Sequence, residues 1–216
     1  ATRICTPVVF QKEIGPRHLR YRGFHELAYL HPRRFRPDPE VRRELGLGPT
    51  EPFSVLRFIS WQAAHDKGAK GLSRELQAEA LHLLSRHGRV FLSSEKELPS
   101  EWKAYTLQVP VHRMHHVLAL ADLYLGEGAT MATEAALLGT PSLYVSSLVG
   151  SMGNFEALRN AGLVLSYRSG GEALQQAARL LADPAAKASW QAKALTFADA
   201  HLDVAEFTYR QMMELA

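Results

Sequence analysis

Leu123-Tyr-Leu-Gly-Glu-Gly-Ala-Thr-Met-Ala-Thr-Glu-Ala-Ala-Leu-Leu-Gly-Thr-Pro-Ser-Leu-Tyr-Val-Ser-Ser147 reads as strand, glycine turn, helix, glycine stop and strand. Leu123 to Leu125 is a short apolar run that Gly126 and Gly128 end. Ala129 to Leu138 is rich in alanine and leucine, both strong helix formers. Gly139 falls where a helix closes on a left-handed residue, and Pro141 forbids its continuation. Leu143 to Val145 then opens a second buried strand, so the stretch is a βαβ unit. Working outward, strands are expected at 54–60, 89–94, 107–109 and 164–167. Helices are expected at 73–87, 112–121, 151–161, 172–182, 185–198 and 204–215. Such alternation predicts the α/β class: a Rossmann-like, doubly wound parallel sheet with helices on both faces. Upstream, residues 3–10 and 19–24 read as short strands, followed by a proline-rich crossing and a short helix that Gly46 ends. We therefore expect an arm with its crossing over residues 1–45 and a nucleotide-binding domain over 46–216.

The physics of the turn points to an anion. Amides of Ala129, Thr130 and Met131 have no carbonyl partner inside their helix and face out of its positive end. Gly126 and Gly128 put no side chain between a phosphate and the backbone. Glu134 follows six residues after Gly128 on a helix that is otherwise small and apolar. A capping box needs its carboxylate three residues after the capping hydroxyl, and Thr130 to Glu134 is four. One turn in from a diphosphate, a carboxylate can accept both hydroxyls of a ribose. Spacing by itself leaves open an ordinary βαβ turn with a solvated Glu134.

Bulk properties narrow the class. A chain of 216 residues, 46% of them hydrophobic, can bury one substantial core. The single cysteine, Cys5, excludes an intramolecular disulfide and suits a reducing compartment. No run approaches the ~20 apolar residues of a membrane span, and the first residues lack a signal-peptide layout, so a cytoplasmic location is expected. Residues 1–50 hold ten Lys and Arg against five Asp and Glu. The arginines from Arg17 to Arg43 are scattered among prolines and a turn, which favours solvated charge over nucleic-acid or anionic-lipid binding.

Gly128-Ala129, Glu134 and Gly139-x-Pro141 resemble the nucleotide-sugar signature of GT-B glycosyltransferases. The closer resemblance is to the domain-of-unknown-function 354 family, which is GT-B-like. It is carried by Tyr29-Leu30-His31-Pro32, Ser60-Trp61, His65-Asp66, Met114-His115-His116 and Gly126-Glu127-Gly128-Ala129-Thr130-Met131. The peptidoglycan GlcNAc transferase and the non-hydrolysing UDP-GlcNAc 2-epimerases share this fold. The resemblance implies a GT-B carboxy-terminal, donor-binding half. By position it gives the diphosphate to Gly128, Ala129, Thr130 and Met131, with Ser60 as a further phosphate contact, and the ribose to Glu134. The turn at 109–116 would receive the base, with His116 as its contact, and Met152, Gly153 and Asn154 would meet the donor sugar. A glutamine-rich pair of the transferase is not reproduced there, which leaves the sugar open. Such transfer needs no cofactor or metal, because helix dipole and amides stabilise the leaving diphosphate. Residues 1 to about 30 would be the last elements of an amino-terminal half that normally supplies the catalytic base.

Three further groups stand beside simpler readings. His65-Asp66 is either an acid–base or orienting pair, or part of an ordinary Asp66-Lys67-Gly68 turn. His112 and His116 are four apart on one helical face, but no third ligand is evident, so no metal site is expected. Trp190, Phe197, Phe207, Tyr209, Met212 and Met213 recur at helical spacing as packing residues; any left exposed would favour a homo-oligomer or docking with the absent half. The resulting expectation is the UDP-sugar-binding half of a GT-B glycosyltransferase, inactive without its amino-terminal half. The alternatives are an epimerase-like enzyme and a non-catalytic nucleotide-binding module.

Overall fold

Residues 2–60, 71–147 and 153–215 are described in the computed structural model. Pro7 ends the first strand: β1 (Ile4–Pro7) pairs in parallel with β2 (His18–Tyr21), and Phe10 N–H turns back to Pro7 C=O. His18 ties this arm together, with Nε2 2.7 Å from Thr6 Oγ1 and Nδ1 3.0 Å from Glu13 Oε1. The crossing contains one helical turn, α1 (Leu27–Leu30), and another after Pro39, α2 (Glu40–Glu44), which Gly46 closes at φ +67°.

Strand and helix then alternate through β3 (Phe53–Phe58), α3 (Arg74–Ser85), β4 (Arg89–Ser94), α4 (Met114–Leu120), β5 (Leu123–Gly126) and α5 (Ala129–Leu137). They continue through β6 (Ser142–Val145), α6 (Gly153–Asn160), β7 (Val164–Tyr167), α7 (Gly170–Ala182), α8 (Ala186–Asp199) and α9 (Val204–Met213). β3 to β7 form one parallel sheet in the order β4-β3-β5-β6-β7. The chain first steps from β3 to β4, then returns to the other side of β3 with β5. That reversal opens a crevice outside the carboxyl ends of β3 and β5, where ligands of such sheets bind. Ser73, Ser169 and Asp203 cap α3, α7 and α9 by accepting the amides of Leu76, Glu172 and Glu206. α5 stops as its sequence requires: Gly139 sits at φ +77°, its amide bonds Ala136 C=O, and Thr140 N–H bonds Ala135 C=O.

Alternation along β3 divides the core in two. Phe53 and Val55 join a layer with Val117, Leu118, Ala132, Phe155 and Trp190, while Leu56 and Phe58 join one with Leu81, Leu84, Ala173 and Leu174. Tyr21, Phe24, Leu27 and Leu30 belong to the first layer, so arm and crossing pack on the sheet domain.

Local differences from expectation have physical causes. Residues 107–109 form no strand; a bridge between Leu92 and Thr106 and a bond from Leu107 N–H to Leu92 C=O (2.9 Å) are all that pairs there. A 3-10 helix at Ser100–Tyr105 precedes them, and Pro110 has no amide to extend a ladder. α4 starts late because Val111–Arg113 takes a 3-10 turn. Trp190, Phe197 and Phe207 pack, but Tyr209, Met212 and Met213 stay exposed, since α9 buries only its Val204 and Phe207 side.

Candidate functional site

Between β5 and α5 stand Glu127 and Gly128. Ala132 N–H is the first amide of α5 to bond back, reaching Gly128 C=O at 3.0 Å. Gly128 is the capping residue and has no side chain to offer, so the amides of Ala129, Thr130 and Met131 have no acceptor within the helix. Tyr124, fully buried on β5, donates its hydroxyl to Gly128 C=O at 3.2 Å and steadies the turn. Burial pushes that phenol well above its usual range, which keeps it a donor.

Glu127 ties this turn to β3. Its buried carboxylate accepts Ile59 N–H at Oε2 (3.0 Å) and Leu72 N–H at Oε1 (2.6 Å), while its own amide bonds Arg57 C=O (3.1 Å). Both described ends of the segment after β3 are therefore held by one side chain. Arg57 donates to Ser93 Oγ (2.7 Å) and Glu95 Oε1 (2.5 Å). Glu95 Oε2 accepts both the amide and the hydroxyl of Ser60, at 3.0 and 3.2 Å. The Ser60 amide above all, with the Arg57 charge and against partial burial, holds Glu95 below the usual carboxylate range. The one hydroxyl proton of Ser60 thus goes to Glu95, and a phosphate contact requires that partner to be exchanged.

Glu134, only 8% exposed, lies in the second turn of α5. Tyr29 from α1 donates its hydroxyl to Oε1 at 2.9 Å, and His115 Nε2 from α4 stands 3.1 Å from the same oxygen. Oε2 has no partner among the described residues and is not sealed from solvent. The Tyr29 and His115 rings lie 5.2 Å apart at 33°, with His25 edge-on to Tyr29 and Phe35 edge-on to His115. Burial first, then the Glu134 charge, raises the Tyr29 phenol and keeps it protonated.

His116 serves another group. Its Nδ1 accepts Asp38 N–H at 3.0 Å, and its ring lies 4.8 Å from that of Phe35. Burial and then the Arg113 charge lower its pKa, in keeping with a ring nitrogen that accepts from a backbone amide. Arg113 pairs with Asp38 and Glu44 at 2.8 and 2.7 Å, so this end of α4 latches the crossing.

Thr130, Gly153 and Asn154 meet along a groove of about 1050 Å³, whose opposite wall is arm residues 8–12 and residues 24–26. A β-carbon on Gly153 would stand 2.7 Å from Val9 C=O, so the close approach of the arm needs glycine there. His65, Asp66 and Met152 fall outside the described residues. Among the described residues no three His, Cys, Asp or Glu side chains converge as a metal site, and no helix is long and apolar enough to cross a membrane. Sequence reasoning assigned no role to Glu127 or Tyr29, and it placed His115 only among the histidines of a base-receiving turn, not beside Glu134, although each lies within a motif quoted above. Their partners are far away in the chain: Tyr29 and Glu134 are 105 positions apart.

Solved glycosyltransferases share this architecture. WaaG, a glycosyltransferase involved in lipopolysaccharide biosynthesis, superposes with a TM-score of 0.56 at 19% identity, over 87% of this chain and 53% of WaaG. The fold is GT-B glycosyltransferase-like. SnogD from Streptomyces nogalater gives 0.54 at 15% identity, over 92% of this chain and 57% of its own. VinC, solved in complex with DTDP, gives 0.52 at 18% identity, over 79% and 43%. At these identities the likeness is one of fold, and the chain spans about half the length of the structures it matches. No family model matches the chain, and no curated protein matches it in sequence.

Proposed function

We propose that this chain is the donor-binding half of a GT-B-type glycosyltransferase that uses a UDP-sugar. The observation that carries the reading is a buried carboxylate, Glu134, with Oε2 open, one turn in from the free amides of Ala129, Thr130 and Met131. The amides bind the diphosphate and the carboxylate the ribose; the groove beyond Thr130 leads the sugar toward Gly153 and Asn154. As the diphosphate leaves, the amides and the helix dipole take up its charge, so the chemistry assigned to this half is electrostatic. A fold shared with glycosyltransferases, one of them solved with DTDP bound, supports a nucleoside diphosphate as the ligand class. The base that activates the acceptor is assigned to a second Rossmann-like half, and this chain alone is expected to bind without turnover.

Isothermal calorimetry with UDP tests the reading. Binding is expected, and Glu134→Ala should weaken it at least tenfold, the equivalent of about 1.4 kcal/mol. Absence of heat at millimolar UDP, or an unchanged affinity in Glu134→Ala, overturns it.

A further inference from the structure

We propose that Tyr29 and His115 are positioning residues that turn Glu134 so that only Oε2 faces the nucleotide, and that this arrangement selects ribonucleotides over deoxyribonucleotides. The inference deepens the nucleotide-binding reading and rests on it. A carboxylate oxygen offers about two acceptor directions. Oε1 has both filled, by the Tyr29 hydroxyl and by His115 Nε2. Oε2 keeps both open, the right number for a cis-diol and one too many for a sugar that lacks its 2′-hydroxyl. Glu134 is only 8% exposed, so a nucleotide seated over Oε2 shuts out water, and an acceptor that the ligand then leaves unanswered is where discrimination by hydrogen bonding is strong.

The two donors come from different parts of the chain and are themselves held. Tyr29 sits on the crossing, braced edge-on by His25; His115 sits on α4, braced edge-on by Phe35. Their rings lie against each other, so neither hydroxyl nor imidazole swings freely. Tyr29 stays a neutral donor because burial and the carboxylate both oppose its ionisation. Glu134 therefore meets the sugar already oriented, which spares the cost of ordering it on binding.

The test measures affinity for UDP, 2′-deoxy-UDP and inorganic pyrophosphate in the full chain and in Tyr29→Phe, His115→Ala and His115→Gln. Wild type is expected to prefer UDP to 2′-deoxy-UDP by about tenfold. Tyr29→Phe and His115→Ala should each reduce that ratio by about threefold or more, while His115→Gln, whose amide still donates, should restore most of it. Pyrophosphate affinity should stay constant across the set, because the α5 amides are untouched; a purely structural defect would lower all three ligands together. Equal wild-type affinities for the two nucleotides, or a ratio unmoved in Tyr29→Phe and His115→Ala, overturns the inference while nucleotide binding stands. Failure of wild type to bind either nucleotide overturns the nucleotide reading and the inference with it.

Discussion

A β-carbon on Gly126 would come within 2.7 Å of both the Arg57 side chain and the Tyr124 hydroxyl, and within 2.9 Å of Arg57 C=O. The same atom on Gly128 meets nothing closer than 3.4 Å, and its φ of −83° suits any residue. Two glycines that look equivalent in sequence thus do different things. Gly126 lets β5 and β3 close beside a buried tyrosine; Gly128 is demanded by no contact within the fold. Gly126→Ala should destabilise by about 1–3 kcal/mol through overpacking. Gly128→Ser should leave stability equal or raise it by a few tenths of a kcal/mol, because serine is a preferred helix cap. Its hydroxyl would then accept from the very amides assigned to the diphosphate, and UDP affinity should fall about tenfold. Urea unfolding and calorimetry on the pair separate the two roles. A Gly128→Ser variant that binds UDP as tightly as wild type would remove the α5 amides from the site.

α4 shows how an element is finished by parts of the chain that lie far from it. Its last carbonyls are answered from two sides: Thr140 donates to Leu118 C=O at 2.6 Å, and Lys187 from α8 donates to Ala119 and Ala121 C=O at 2.8 and 2.7 Å and to the Thr140 hydroxyl. Burial pulls the Lys187 ammonium down to about 7, against the attraction of Asp122. A lysine whose folded pKa lies below its unfolded 10.5 binds fewer protons folded than unfolded across that interval, so its contribution to stability improves as pH rises from about 7 to 10.5. Lys187→Met should flatten that slope and, at pH 7, cost about 1–3 kcal/mol by leaving buried carbonyls unanswered. Urea titrations at several pH values check both. None of this is legible in the sequence, where nothing local sets Lys187 apart from Lys193 on the same helix. The elements themselves were legible wherever local signals agree, as at Leu123 to Val145, where apolar run, glycine turn, alanine-rich helix, glycine and proline all name the same boundaries. They were illegible where a tertiary contact decides. α1 is a single turn buried through Leu27 and Leu30, and residues 107–109 have strand composition but lie between a 3-10 helix and Pro110, with only the Leu92–Thr106 bridge beside them.

At the scale of the whole molecule, the early and late parts of the described chain are packed on each other. Leu202 N–H bonds Arg22 C=O at 2.8 Å, the Tyr21 ring lies 5.0 Å from Phe207 and that of Phe24 lies 5.5 Å from Phe197. α1 therefore rests against α9 while Tyr29 on it reaches Glu134, which makes the candidate site depend on contacts that no local pattern announces. Positions on α5 could be assigned from spacing and resemblance because one helix presents them; the residues that orient Glu134 could not, because folding alone brings them there. Asp203 stands at this junction, capping α9 through Glu206 N–H (3.1 Å) and pairing with Arg34 Nε (2.7 Å). Burial pushes its carboxyl up, but the Arg34 bond and the Glu206 amide outweigh burial, and the net shift is below the usual 3.8. A carboxyl with a depressed folded pKa contributes stability above 3.8 that is lost as pH falls through and below that value. Asp203→Asn keeps a good cap and loses the ion pair. With Arg34 more than a third exposed, solvent screening limits the pair to about 0.5–1 kcal/mol. The variant should therefore be less stable than wild type by that amount at pH 7, and by clearly less at a pH well below 3.8, where the wild-type carboxyl protonates. Urea unfolding at the two pH values measures it; a gap of the same size at both would mean that the charge of Asp203 has no part in holding α9 to the crossing.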